Sequence, residues 1–327
     1  MTLQGYQERI FAIECEDDFE ALCMEAFRYQ AHHVPVYADF LRALNISSDT
    51  IQHSHEIPFL PIECFRVHEV FDSGPRPELW FESSGTTDQT PSCHFVRTPE
   101  IYDQSFMTAF ERFVGKPEDM AILALLPSYM ERPRASLLYM ASELIRRSGH
   151  AASGFYPEAN AQFLHHVHQL HTQQVPHIII GVSFALLDWA EAHPMPLPWL
   201  RIMETGGMKG RRKELIREAL HEKLKQAFHV REVWSEYGMT ELLSQAYAKK
   251  EGYFECPPWM KLVLRDPGDP FHYGVSSGGI NVIDLANIHS CCFIATQDLG
   301  RQHKKGQVEV LGRFDASELR GCNLMIR

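Results

Sequence analysis

The chain contains no apolar run long enough to cross a bilayer. A membrane helix needs ~20 consecutive apolar residues. The best stretch, "IIIGVSFALL" at 178–187, falls well short and reads as strand and turn. A CxxC pair is also missing. The eight cysteines, at 15, 23, 64, 93, 256, 291, 292 and 322, have no zinc-knuckle spacing. They read as reduced thiols, most of them small apolar core groups. Positive charge is in deficit, 31 Lys and Arg against 42 Asp and Glu, for a net charge of −11. Such a surface repels nucleic acid and anionic lipid, so neither is an expected partner and no stable membrane insertion is expected. An anionic ligand must then be held locally, by backbone N–H groups and a few cations. There is no GxGxxG and no GK[ST] ending, which excludes the common dinucleotide and Walker loops. No repeat, low-complexity tract or Pro/Gly/Ser linker divides the chain. A single domain over 1–327 is therefore expected, with a helical lead-in at 1–75 and an α/β core at 76–327. The N-terminal stretch is too acidic for a signal peptide, which points to a cytoplasmic location.

The 327 residues, 45% of them apolar, suffice for a large core. In "DDFEALCMEAFRYQ", Phe19, Leu22, Cys23, Ala26 and Phe27 recur at helical spacing behind acidic residues suited to a helix N-terminus. Pro58 and Pro61 then interrupt helix. From about residue 79 short apolar runs alternate with amphipathic stretches. Strands are expected at 79–82, 121–126, 177–182, 200–204, 230–235, 279–285 and 307–311. A helix is expected in "GRRKELIREALHEKLKQAF", where Leu215, Ile216, Ala219, Leu220, Leu224, Ala227 and Phe228 form one stripe. This alternation predicts an α/β fold with mixed sheets flanked by helices. In "HHVHQLH", His165, His168 and His171 share a helix face, which reads as solvated and not as a metal site.

Three stretches carry candidate chemistry. "FESSGTTDQTPS" (81–92) follows a strand with Ser83, Ser84, Gly85, Thr86 and Thr87. Gly85 frees the backbone, so successive N–H groups can converge on an anion while the hydroxyls add donors. Its ordinary reading is a surface turn. "WSEYGMTELLSQAY" (234–247) ends a strand at Glu236-Tyr237-Gly238 and predicts a helix near Thr240-Glu241, with Thr240 as cap. A ring, a hydroxyl and a carboxylate there suit a purine, a phosphate oxygen and Mg²⁺; the ordinary reading is a capped helix after a Gly turn. In "TQDLGR" (296–301) and "VEVLGRFD" (308–315), Asp298 lies before a Gly turn and can accept two ribose hydroxyls. Arg313 can reach a ribose or phosphate oxygen. Taken alone, these two read as turn residues in a surface ion pair.

Taken in order, "SSGTT", "ETGG" (204–207), "YGMTE", "QDLGR" and "LGRFD" resemble the motifs of the adenylate-forming superfamily of acyl-CoA synthetases, luciferases and nonribosomal adenylation domains. The resemblance runs from residue 79 to near the end. Within it, "IPFLPIECF" (57–65), "LLPSYMERPRASLLYMASELI" (125–145) and "GRFDASELRGCNLM" are similar to the acyl-protein synthetases of the bacterial luminescence fatty-acid reductase complex. That family makes acyl-AMP from a fatty acid and passes the acyl group to a protein cysteine for delivery to a reductase. The resemblance implies ATP and Mg²⁺ as cofactors. It implies a carboxylic acid substrate, in this family a fatty acid, and an acyl-CoA reductase or other acyl-accepting protein as partner. It places Ser84, Gly85, Thr86 and Thr87 on the phosphates, Thr240 near the α-phosphate and Glu241 on the metal. Tyr237 would stack on adenine, Gly206 and Gly207 would let the backbone approach the base, and Asp298 and Arg313 would hold the ribose. Cys322, in "LRGCNLM", is the candidate acyl acceptor, with Arg320 nearby to favour the thiolate; its ordinary reading is a buried residue in a final strand.

The sequence departs from the superfamily pattern twice. Asp88 stands where the loop usually continues with Gly, and no Lys follows, so the grip on phosphate falls to hydroxyls and backbone. Only 12 residues follow Asp315, so the C-terminal lid that carries a catalytic lysine is expected to be absent. Lys209, Lys304 and Lys305 sit in the wrong part of the pattern to replace it. Short chains are also a mark of acyl-protein synthetases. The alternatives are an acyl- or aryl-CoA ligase and a non-catalytic scaffold with the same fold.

Overall fold

The structure is a computed structural model that describes residues 3–83, 90–127, 132–206, 215–303 and 306–314. It begins with three helices, α1 (Leu3–Ile10), α2 (Glu16–His33) and α3 (Pro35–Ala43). The apolar face read from α2 is the buried one: Phe19, Leu22, Cys23, Ala26 and Phe27 are all covered. Asp18 accepts the backbone N–H groups of Glu14 and Cys15 at 3.2 and 3.3 Å, which closes the N-terminus of the helix. The lead-in is not helical to its end. A short strand, β1 (Leu60–Pro61), pairs in parallel with residues 294 and 295, ahead of the helical turn α4 (Cys64–Val67). The prolines that stop the helix thus sit where the lead-in joins a sheet.

A hairpin follows, β2 (Leu79–Glu82) with β3 (Cys93–Val96). Then the chain alternates: α5 (Pro99–Phe113), β4 (Ala121–Leu125), α6 (Ser136–Ser148), β5 (Gly154–Tyr156), α7 (Ala161–Thr172), β6 (His177–Val182), α8 (Ser183–Ala192), β7 (Arg201–Thr205), α9 (Arg217–Phe228), β8 (Trp234–Tyr237). Strands β4 to β8 are parallel, and β9 (Ala246–Ala248) closes the order β5-β4-β6-β7-β8-β9 antiparallel to β8. Every residue of β4 and β6 is buried, as expected for parallel strands covered on both faces. The run at 178–187 is not strand and turn: its second half is α8, whose Phe184, Leu186, Leu187 and Trp189 are buried. In α9 the expected stripe holds at Leu220, Leu224 and Phe228, whereas Ile216 lies just ahead of the helix and is exposed.

The second sheet is built by β10 (Tyr253–Phe254), β11 (Met260–Arg265), β12 (Ser277–Asp284), β13 (Phe293–Gln302) and β14 (Val308–Arg313), in the order β10-β14-β13-β12-β11 with β1 beside β13. Two apolar cores result. One joins the lead-in helices, α5 and the inner face of this sheet; the other lies under α7, α8 and α9. The C-terminal edge of the parallel sheet therefore meets the second sheet, and Tyr237, Glu241, Asp298 and Arg313 gather along that seam.

Candidate functional site

Tyr237 ends β8 and faces the second sheet. Its hydroxyl donates to Asp298 Oδ2 at 2.8 Å, joining the two sheets. Asp298 lies inside β13 and not before a turn; its Cα partner across the ladder is Arg313 on β14. The Arg313 Nε sits 3.4 Å from Asp298 Oδ1. The Asp298 backbone N–H donates to Thr296 Oγ1 at 3.1 Å, and that hydroxyl donates to Ile280 O at 2.7 Å. Arg265 fixes the same segment by donating to Thr296 O and Ile280 O. The carboxylate is thus buried and rigidly placed, while the Arg313 side chain is 79% exposed at the rim. Burial, then the Asp298 charge, raises the Tyr237 hydroxyl well above its ordinary range, so it stays protonated and donates. The ring packs 5.8 Å from Phe254 with little surface open.

Glu241 is buried on the same seam. Burial raises its carboxyl above the usual range; a hydrogen bond from Ser92 and the charge of Arg313 pull it back. Ser92 also anchors the hydroxyl-rich loop. The Ser92 N–H donates to Ser83 Oγ at 2.8 Å, and the Ser83 N–H donates to Ser92 O at 3.0 Å. The two ends of the loop are therefore clamped, and the clamp touches Glu241. Ser84, Gly85, Thr86, Thr87, Gly207 and Cys322 lie outside the described residues. Thr240 is placed by its carbonyl, which accepts from His94 Nδ1 at 2.9 Å. A carbonyl only accepts, so Nδ1 carries the proton and Nε2, 2.8 Å from Ser290 Oγ, accepts. Burial pushes His94 down to about 4, which keeps it neutral. Its role is to hold the Thr240 turn.

The helix expected at Thr240 does not form. Residues 239–242 make a turn, closed by the Leu242 N–H donating to Met239 O, and β9 follows. The reason is Asp284 at the end of β12. Its Oδ2 accepts the N–H groups of Leu243 and Ser244, both at 2.9 Å, and Asn287 Oδ1 accepts Leu243 N–H at 3.1 Å. Buried acceptors from the second sheet take the donors that a helix would have paired internally. Gly206 follows β7 with φ of 69°, a left-handed conformation suited to glycine, and its carbonyl accepts from Ser183 Oγ at 2.6 Å. The adjoining Glu204 is buried. Burial would raise it, but His221 at 3.8 Å and Arg217 at 2.9 Å outweigh that and hold it below the ordinary range. Arg217 also donates to Val310 O at 2.7 Å, a second tie across the seam.

The structure thus brings Tyr237, Glu241, Asp298 and Arg313 together at the base of the hydroxyl loop. Sequence reasoning missed Ser83 and Ser92 as its clamp, although both stand in the quoted small-residue cluster. It also missed Asp284 and Arg265, which no motif marks. One carboxylate with no further cluster suits Mg²⁺, which takes one or two carboxylates and otherwise phosphate oxygens and water. Among the described residues no group of three or more His, Cys, Asp or Glu forms a metal cage.

No family model and no curated protein matches the chain. Solved structures do. O-succinylbenzoate coenzyme A synthetase from Bacillus subtilis, in complex with ATP and magnesium, is 19% identical with a TM-score of 0.52, over 72% of this chain and 49% of that one. A malonyl-CoA ligase, in a product complex with methylmalonyl-CoA and AMP, is 19% identical with a TM-score of 0.51, over 73% and 53%. A luciferase-like enzyme from the nonluminescent mealworm Zophobas morio is 15% identical with a TM-score of 0.51, over 72% and 57%. The fold is that of the large domain of adenylate-forming ligases. The chain spans about half the length of the solved structures it resembles.

Proposed function

We propose that this chain activates a carboxylic acid with ATP, forming an acyl adenylate and pyrophosphate. The observation that carries the reading is the seam cluster: Glu241, Asp298, Arg313 and Tyr237 beside the clamped hydroxyl loop, on a fold shared with ligases solved with ATP and AMP. A carboxylate is a poor electrophile because oxide would have to leave. Attack on the α-phosphorus expels pyrophosphate and gives a mixed anhydride whose leaving group is AMP. Two anions must meet, so the protein's task is positioning and charge compensation. Asp298, already fixed by Thr296, would accept the ribose hydroxyls, and Arg313 at the rim would reach ribose or phosphate oxygen. The loop at 84–87 and Thr240 would hold phosphate. Glu241 would hold Mg²⁺, which when bound neutralises charge between the phosphates. Tyr237 serves here first as a donor that orients Asp298; an adenine would lie against whatever ring face the seam opens.

The second step in this proposal is transfer of the acyl group to a protein thiol, with Cys322 as acceptor, a fatty acid as the acid and a reductase as receiving partner. The resemblance to acyl-protein synthetases supports it. Transfer to coenzyme A is the second reading, favoured by the fold shared with two coenzyme A ligases. Carboxylate-dependent ATP–pyrophosphate exchange over a panel of acids tests the first step. Exchange with at least one acid is expected; none across fatty, hydroxy, amino and aromatic acids overturns the reading. Hydroxylamine-labile labelling of the protein, lost in Cys322→Ser with exchange kept, separates the thiol route from a coenzyme A thioester.

A further inference from the structure

Behind Tyr237, on the other face of β8, lies a buried polar group that the nucleotide reading does not use. Glu236 precedes Tyr237, so its side chain points away from Asp298. It stands opposite Tyr247 in the β8–β9 ladder. Its one hydrogen bond among the described residues comes from Thr205 Oγ1 to Oε2. Its other oxygen lies over Gly238, where a Cβ would overlap Oε1 and press on Gln245 Cγ. Glycine at 238 thus leaves room for Glu236 and Gln245 to share one side of the strand pair. Gln245 and Tyr247 are two residues apart on β9 and its approach, on that same face.

These neighbours are unsatisfied. Gln245 Oε1 and the Tyr247 hydroxyl have no hydrogen-bond partner among the described residues, although Gln245 is 4% exposed and Tyr247 2%. Native proteins pair nearly all such groups, and an exception calls for a ligand, a water or a catalytic reason. Three features argue for a ligand. Gln245 Oε1 can only accept, so it calls for a donor, and the Tyr247 hydroxyl can accept from one as well. They lie at the carboxyl ends of β7 and β8, the side on which open α/β sheets bind their ligands. Only Tyr237 and Gly238 separate Glu236 along the chain from the turn that carries Thr240 and Glu241, which sets this deficit beside the seam where an acid would be activated. An apolar ring lies against one of them: Phe113 stacks on Tyr247 at 5.3 Å between centroids. Tyr102 from α5 is already committed, donating to Ser136 O at 3.2 Å, and does not fill the deficit.

We propose that Glu236, Gln245 and Tyr247 form the substituent-reading end of the acid site, and that the acid this chain activates carries a hydroxyl or amino group that donates to them. The inference rests on the acid-activation reading and narrows its substrate from any acid to a donor-bearing one. A site built to bond a donor rejects the isostere lacking it, because its polar groups stay buried and unpaired; discrimination of ~10⁴-fold is attainable where such a group is fully enclosed.

The test uses matched pairs, each hydroxy or amino acid against the acid with hydrogen or methyl in its place, over short aliphatic, long aliphatic and aromatic frames. Pyrophosphate exchange and calorimetric binding of acid and of ATP are measured for wild type, Glu236→Leu and Tyr247→Phe. The expected result is a preference of at least ~100-fold in kcat/KM for one donor-bearing acid, collapsing toward unity in Glu236→Leu while ATP affinity is kept. Tyr247→Phe, which keeps the ring and so the packing, should lower the preference ~10-fold. Equal or better use of the plain acids by wild type overturns the proposal, as does a preference that survives in both variants. Donor-selective binding without exchange would sustain this pocket and sink the activation reading. Neither binding nor exchange with any acid sinks both.

Discussion

Glu236 and Tyr237 are consecutive residues on one strand, yet they face two different chemical situations. On the Tyr237 side each polar group has a partner: hydroxyl to Asp298, Asp298 to Arg313 and Thr296, Thr296 to Ile280. On the Glu236 side one hydrogen bond from Thr205 serves a carboxyl group, while Gln245 Oε1 and the Tyr247 hydroxyl have none among the described residues. The pleat separates the two by a single residue. The paired face is rigid before anything binds, which suits a group that stays the same through the proposed reaction, as a nucleotide's ribose does. The unpaired face holds its deficit in reserve for a ligand that supplies a donor. Pre-organisation and selectivity are thus divided between the two sides of β8.

The largest effect should come at the edge of the paired face. Glu241→Gln keeps the shape and the acceptor for Ser92 but removes the charge. Exchange at limiting Mg²⁺ should fall by at least ~10²-fold with the melting temperature little changed. Wild-type exchange under those conditions would remove the metal assignment and leave Glu241 as part of the loop clamp alone.

Asp298→Ala comes next. Losing charge-assisted bonds to two hydroxyls should cost about 1.5–3 kcal/mol, or roughly ten- to a hundred-fold in ATP affinity. The comparison of ATP with 2′,3′-dideoxy-ATP isolates the ribose. If the variant discriminates the pair as strongly as wild type, Asp298 serves only to tie the sheets through Tyr237.

The unpaired face should reveal itself through pH. Burial, only partly offset by the Thr205 bond, raises Glu236 to about 7 from an ordinary value of 4.5, with Glu204 adding repulsion. Between these values the unfolded chain has released a proton that the folded chain retains. Stability from this group is therefore full below about 4.5 and is lost as pH rises toward about 7, on the order of 3 kcal/mol in all. Asp284, raised to about 6 by burial, titrates in part of the same window. The readout is consequently the difference between wild type and Glu236→Gln in denaturant melts from pH 4.5 to 7.5, which leaves Asp284 common to both. A difference that does not change with pH would mean that Glu236 is already ionised through that window.

How much of this was legible in the sequence follows the same division. The parallel strands were readable because burial on both faces writes itself as unbroken apolar runs at 121–125 and 177–182. The motif residues on the paired face were readable because Tyr237, Glu241, Asp298 and Arg313 stand in short ordered signatures. What escaped was anything set by a partner far along the chain. The turn at 240 is decided by Asp284, some forty residues on, and local pattern favoured a helix there. Asp298 looked like a turn residue because Gly300 follows it, yet Gly300 lies within β13 at an irregular register. The hydrogen-bond deficit beside Glu236 was invisible for a related reason. A missing hydrogen bond leaves no mark in the order of residues.

The smallest effect, expected at Tyr247, comes from a chemical change that can also be made at Tyr237, which gives the most direct comparison of the two faces. Tyr237→Phe and Tyr247→Phe each delete one phenolic oxygen from a buried ring. At Tyr237 the deletion removes a 2.8 Å bond to a buried carboxylate and leaves Asp298 with one donor fewer. Hydrogen bonds to charged groups contribute ~1.5–3 kcal/mol, so a loss of that order in unfolding free energy is expected. At Tyr247 the deletion removes a buried hydroxyl with no partner among the described residues. Its desolvation was uncompensated, so the variant should be as stable as wild type or more stable, by up to about 1 kcal/mol. Urea melts at a fixed pH of 7.5, with the slope checked for constancy, measure both. Should Tyr247→Phe destabilise as much as Tyr237→Phe, the hydroxyl of Tyr247 is satisfied in solution. The two faces of β8 would then be alike, and the deficit that motivates a donor-bearing substrate would be gone.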